Sequence, residues 1–266
     1  MPEGAASSSF TMEDQERVRF QNDPLQTVVW QLRFPPNWSI DDPSFAARFQ
    51  ASIGEEYPRA EPRGTQISLP LVEGASVGAP EPAPWQFRDQ TGHWVAAVRR
   101  DFLSLETTKY TRFEDFKNRL ERLLDVMERE LPLRFVSRVG LRYIDRIRHP
   151  SLTSAADSSR FLNPALLGLI AGDQIAPYVL DAMQQLRLSI DQGQLQIRHG
   201  YLGLEWDPQG PSYLIDIDAS HEEDMPWDRQ SCLGMTEDFK RHCWNFFRQS
   251  LTDDLVTHLD PKPLDD

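Results

Sequence analysis

From Pro24 onward the apolar positions alternate between a two-residue and a three-to-four-residue period, the mark of strands and helices following one another. Thr27-Val28-Val29-Trp30-Gln31-Leu32-Arg33-Phe34 is rich in β-branched and aromatic residues and stops at Pro35-Pro36, which predicts a strand. Asp42-Pro43 then supplies an N-cap and a first-turn proline, and Phe45, Phe49 and Ile53 recur at helical spacing. Thr65 to Val72 reads as a second strand whose far end Pro70 confines to a sheet edge, and Gly74 to Pro84 as a loop. Trp85-Gln86-Phe87, a turn at Asp89-Gln90-Thr91-Gly92 and one long strand from His93 to Thr107 form a hairpin. Thr111-Arg112-Phe113-Glu114 has capping-box spacing, and Phe113, Phe116, Leu120, Leu123, Leu124 and Met127 stripe the helix behind it up to Pro132.

The pattern then recurs. Leu32-Arg33-Phe34 returns as Leu141-Arg142-Tyr143, in a strand from Leu133 to Ile147, and Asp89-Gln90-Thr91-Gly92 as Asp191-Gln192-Gly193. The string Val98 to Glu106 matches Ile197 to Glu205 class for class, and Glu114-Asp115-Phe116-Lys117 reappears identically as Glu237-Asp238-Phe239-Lys240, opening a second long helix. The predicted fold class is therefore α+β: an internally duplicated strand-helix-strands-helix unit whose mostly antiparallel sheet carries its helices on one face. The expected organisation is a disordered tail over 1–23 and a first unit over 24–132. A second unit over 133–260 carries an acidic insertion at 206–233, and a short C-terminal tail covers 261–266.

Leu25 to Phe34, Arg138 to Asp145, the aromatic hairpin from Trp85, the helix entry from Tyr110 to Phe116 and the strand Leu214 to Asp218 give the chain a resemblance to a known family. It resembles an uncharacterised, sporadically distributed prokaryotic family of proteins of about this length. The resemblance covers nearly everything from Pro24 onward and implies no activity, cofactor or catalytic residue. Patchy distribution of the family points to mobile or defence-associated genes.

A formal charge of −13 argues against general nucleic-acid binding and against an anionic membrane surface. The N-terminus shows no secretory pattern and no apolar run reaches bilayer length, so a cytoplasmic protein with no membrane association is expected. Cys232 and Cys243 are too few for a disulfide framework or a structural zinc site, and Cys243 falls on the apolar side of its helix.

Candidate chemistry centres on arginine. Between Leu133 and His149, Phe135, Val139, Leu141, Tyr143 and Ile147 alternate with Arg134, Arg138, Arg142, Arg146 and Arg148, although Asp145 falls on the apolar side and Val136 and Ile144 on the arginine side. Strand alternation turns this into an arginine ladder on one face, with Arg33 at the matching site of the first unit and Arg99 and Arg198 as a further pair. Guanidinium forks bind carboxylates and phosphates, so Arg33, Arg138, Arg142 and Arg146 are candidates for holding an anionic ligand or an acidic partner. The bland alternative is a solvated face of ion pairs. On the ligand reading, charge reversal at Arg138 or Arg142 removes binding and spares stability. Trp206 and Trp227, in or beside the insertion, are candidate contact residues, against packing under the loop. Asp216 and Asp218 point the same way from one strand and His221 follows, which makes a candidate metal site against a solvated acidic turn.

No phosphate-binding glycine loop, nucleophile elbow or dinucleotide fingerprint occurs. The expected function is a non-enzymatic binding or regulatory protein, without cofactor, that holds a protein partner or small anionic ligand on its arginine-bearing face. The alternative is a metal-assisted enzyme acting on a phosphorylated or nucleotide substrate.

Overall fold

The computed structural model describes residues 10, 12–61, 82–172 and 174–264. Its elements run β1 (Val18–Phe20), β2 (Leu25–Arg33), α1 (Pro43–Ile53), β3 (Arg59–Glu61), β4 (Trp85–Arg88), β5 (Trp94–Arg99), β6 (Phe102–Thr107) and α2 (Phe113–Glu130). There follow β7 (Phe135–Val136), β8 (Arg138–Ile147), α3 (Ser158–Phe161), α4 (Pro164–Leu167), β9 (Asp181–Ile190), β10 (Gly193–Leu202) and β11 (Ser212–His221). The chain closes with β12 (Met225–Pro226), α5 (Arg229–Ser250), α6 (Asp253–Leu259) and β13 (Pro261–Pro263). Nine strands form a sheet in the order β3-β4-β5-β6-β2-β8-β11-β10-β9, mostly antiparallel, so the α+β class holds. The expected strand from Thr65 and the loop from Gly74 as far as Glu81 lie outside the described residues.

Two compact units divide the chain. The first comprises Val29–Val139 with Glu222–Arg229. Phe87, Ala96 and Leu105 sit opposite one another across β4, β5 and β6 and are all buried. Phe49 of α1 packs against Phe87 with ring centroids 5.5 Å apart, and Phe116 of α2 against Trp94 at 5.7 Å. Both helices therefore cover the same face of these strands, each aromatic pair adding about 0.5–1.5 kcal/mol beyond the area it buries. Asp42 caps α1 by accepting from the Ser44 amide at 2.8 Å.

Three local expectations for this unit change. The segment from His93 to Thr107 is two strands, folding back at Arg100-Asp101 so that Arg99 faces Phe102. That turn lacks the Asn-Gly or Asp-Gly that ordinarily announces one; the amides of Phe34 and Asn37 instead brace it by donating to the carbonyls of Asp101 and Arg100. The Thr111 capping box does not form, because its hydroxyl donates to Asp115 and Arg112 is the N-cap. The strand expected over 133–147 breaks at Ser137, with β7 pairing β12 in a small separate ladder.

The second unit comprises Met1–Val28, Gly140–His221 and Gln230–Asp266, with its strands in the order β8-β11-β10-β9. Leu195 faces Ala219 and Ile197 faces Ile217. The helix α5 covers the apolar side: Phe239, Cys243 and Phe247 are buried, and Cys243 Sγ lies 4.0 Å from the Leu141 carbonyl. Residues 12–23, expected in a mobile tail, are held in place. Here β1 pairs β13, Phe20 packs on Trp244 and Phe247, and Asn245 bonds both Asp14 and the Gln15 amide. Residues 261–263 of the expected C-terminal tail supply β13, so each supposed tail supports the other.

The first unit runs strand, helix, four antiparallel strands and helix, and the second strand, helical segments, three antiparallel strands and helix. The repeated strings follow this order only in part. Asp89–Gly92 and Asp191–Gly193 each turn into the middle strand, but Val98–Glu106 spans the β5–β6 hairpin whereas Ile197–Glu205 runs from β10 into a loop. The strand in the place of β6 is β11, so the segment expected as an insertion holds a central strand of the sheet. Glu237-Asp238-Phe239-Lys240 lies inside α5, which begins at Arg229, rather than opening it.

Asp145 breaks the apolar side of β8. It is buried, and burial followed by the charges of Asp23 and Asp216 pushes its carboxyl well above the usual carboxylate range. The folded form therefore holds a proton that the unfolded chain releases, so Asp145 lowers stability progressively as pH rises from about 4 toward neutrality. Replacing it with asparagine should remove that part of the slope. Urea midpoints for wild type and Asp145→Asn should converge near pH 4, with the variant more stable near pH 7; parallel curves would contradict the assignment.

Candidate functional site

The register of β10 on β11 sets Arg198 opposite Asp216. From β8, Arg142 Nε and Nη2 donate to the two carboxylate oxygens of Asp216, each at 2.7 Å, and Arg198 Nε lies 3.7 Å from one of them. Asp216 is only 4% exposed and Arg142 is buried with it. Strand alternation places Leu214 and Leu202 on the same side as these groups, and they cluster with Ile144. Apolar neighbours of this kind keep water away from the pair and strengthen its Coulomb attraction, while raising the desolvation cost of each charge.

A second carboxylate organises the loop between β10 and β11. Asp207, 2% exposed, accepts from the Ser212 hydroxyl at 2.7 Å, Arg148 Nη2 at 2.7 Å, Arg146 Nη1 at 3.0 Å and the Gln209 amide at 3.2 Å. Burial alone would raise its pKa, but the Ser212 and Arg146 hydrogen bonds, the Gln209 amide and the Arg148 charge outweigh it and hold the carboxyl below its ordinary value. The amides of Trp206 and Asp207 both donate to the Gly203 carbonyl, and the Gly210 amide to the Asp207 carbonyl, each at 3.0 Å. Gly210 sits at φ 125°, a conformation that side chains resist. This tied-down turn presents Leu204 and Trp206 to solvent, Trp206 being 62% exposed.

The other predicted residues divide as follows. Arg33 is exposed and donates to Gln31 Oε1 at 3.1 Å; Arg138 donates to Gln31 at 3.2 Å and to Glu222 at 3.4 Å. Trp227 is half-buried, with Nε1 donating to Glu128 at 3.2 Å and its amide to the Arg134 carbonyl, so it is tied to the first unit. The metal expectation at Asp216, Asp218 and His221 is corrected. Arginine occupies both oxygens of Asp216, His221 Nδ1 lies 3.0 Å from the Gln192 carbonyl, and the described residues contain no group of three suited to a metal ion. The ladder is likewise not a free row of forks, because Arg142 is bound to Asp216 and Arg146 and Arg148 to Asp207.

Sequence reasoning missed Asp207. Its available signal was Asp207-Pro208-Gln209-Gly210, a turn string with an acceptor at its start, but nothing local says that arginines from β8 and the segment following it arrive there. No family model, curated protein or solved structure matches the chain. No helix among the described residues is long and apolar enough to cross a membrane.

Charge removal at Arg142 should be a stability lesion, contrary to the expectation for a ligand-holding arginine. Arg142→Met strands a buried carboxylate and should cost about 3–5 kcal/mol, whereas Arg142→Met with Asp216→Leu should recover most of the loss. Denaturant unfolding of the three proteins checks this; a loss at Arg142 no larger than that of Arg33→Met would refute it.

Proposed function

We propose that the chain is a non-enzymatic binding protein that holds a protein partner, with the 203–210 turn as its contact and the arginines as internal supports. The observation that carries this reading is Trp206, held out to solvent on a turn whose backbone is fixed by Asp207. Aromatic side chains dominate binding hot spots, and a contact already rigid before association loses little entropy on binding. Leu204 beside it adds apolar surface.

A small anion is the weaker ligand class here. It would have to displace Asp216 from Arg142, or Asp207 from Arg146 and Arg148, and leave a buried carboxylate unpaired. The metal-assisted enzyme reading has no supporting observation at Asp216. The proposal includes a cytoplasmic setting, the mobile or defence-associated gene context implied by the family resemblance, and a scaffold descended from two copies of one unit. The similar order of elements supports that descent.

Affinity purification of the tagged chain from its native host tests the contact. Wild type should retain a specific protein, and Trp206→Ala should weaken its retention by about thirtyfold or more without moving the thermal midpoint. Asp207→Ala should weaken both retention and stability, because it frees the turn. Undiminished capture by Trp206→Ala would reject the turn as the contact.

A further inference from the structure

We infer that two copies of the chain associate through β9, edge to edge and antiparallel, about a two-fold axis at Gln184. This inference does not rest on the Trp206 contact. Strand β9 ends the sheet order, is ten residues long and pairs with β10 along its whole length without a bulge. Edge strands ordinarily carry protection in the form of proline, lysine, a bulge or short length. Strand β9 contains no proline or lysine, and all but its last residue are exposed or half-buried.

One hydrogen bond fixes how such an edge can be used. Among the described residues, the outer side of β9 takes a single backbone bond, from the Phe10 amide to the Ser189 carbonyl at 2.7 Å. In an antiparallel ladder the N–H and C=O of one residue point to the same side and alternate along the strand. Ser189 therefore faces outward, and with it Arg187, Gln185, Met183 and Asp181. A second strand must pair outward residues with outward residues, and Phe10 already holds Ser189. The symmetric register that uses the stretch from Asp181 to Arg187, which takes no outer backbone bond among the described residues, sets Asp181 opposite Arg187 and Met183 opposite Gln185.

That register is also chemically complementary. Opposed residues share a face, so the carboxylate of Asp181 meets the guanidinium of Arg187 from the other copy, once on each side of the axis. Both side chains are exposed and neither forms an ion pair among the described residues. On the opposite face Leu180, 76% exposed, comes level with Leu188, and Ala182 with Leu186. Moving the strands by one pairing step toward Ser189 would break the Phe10 bond and set Met183 against Arg187. One step the other way sets Asp181 against Gln185 and shortens the ladder.

Sedimentation of the full chain over a wide concentration range tests the pairing, with thermal midpoints confirming that each variant is folded. Wild type should dimerise, and Asp181→Arg and Arg187→Asp should each weaken the dimer at least about tenfold. The combined swap, Asp181→Arg with Arg187→Asp, should restore it by re-forming the pairs between copies. Gln185→Pro removes an outward amide without touching the β10 ladder and should give a monomer. Trp206→Ala should dimerise like wild type, which separates this surface from the partner contact. A wild-type monomer throughout, or a dimer indifferent to Gln185→Pro, would overturn the inference; a dimer broken by proline but not rescued by the swap would overturn its register.

Discussion

Asp216 sits almost out of reach of water, and a carboxylate at that depth persists as an ion only where its lost hydration is replaced by matched donors. Arg142 supplies two parallel hydrogen bonds from β8 and Arg198 a further positive charge from β10. The polar side of the second unit depends on this constraint. It consumes the arginines that a sequence reader would assign to a ligand, and it fixes which residues of three strands must share a face. The same rule operates at Asp207, where Arg146, Arg148, a serine hydroxyl and a backbone amide close around one carboxyl group.

Asp145 shows the rule from the other side. It is as buried as Asp216 but has carboxylates rather than arginine as its charged neighbours, so the neutral acid is the form the fold accepts. Two buried acidic residues in one unit thus meet opposite charged surroundings, set by which strand face each occupies. Function follows from what the network leaves uncovered. Because the arginines of this network are already paired, the proposed partner contact falls to Trp206 and Leu204 on the Asp207-tied turn, and the proposed pairing of copies to the edge of β9.

Much of the scaffold was legible along the chain. The β-branched run at Thr27–Phe34, the Asp42-Pro43 helix start and the stripe from Phe113 to Met127 each combine a periodic apolar face with a local start or stop signal. Elements lacking one of these were missed. The β5–β6 turn has no glycine, and β1 and β13 are each three residues long and ordered by one another. The matching strings misplaced β11 because string similarity reports residue class and cannot report which strand a segment lies beside.

By itself, then, the sequence determined the α+β class, the principal helices and strands, and the presence of arginines on one side of a central strand. These depend on backbone propensity and on alternation between faces, both written into neighbouring residues. Only the tertiary structure decided what those arginines do. Arg142 and Asp216 lie 74 positions apart and Arg146 and Asp207 61 apart, and their pairing depends on strand order and register. Whether a guanidinium awaits a ligand or is already paired is a long-range property, since the carboxylate that answers it arrives from another strand or loop.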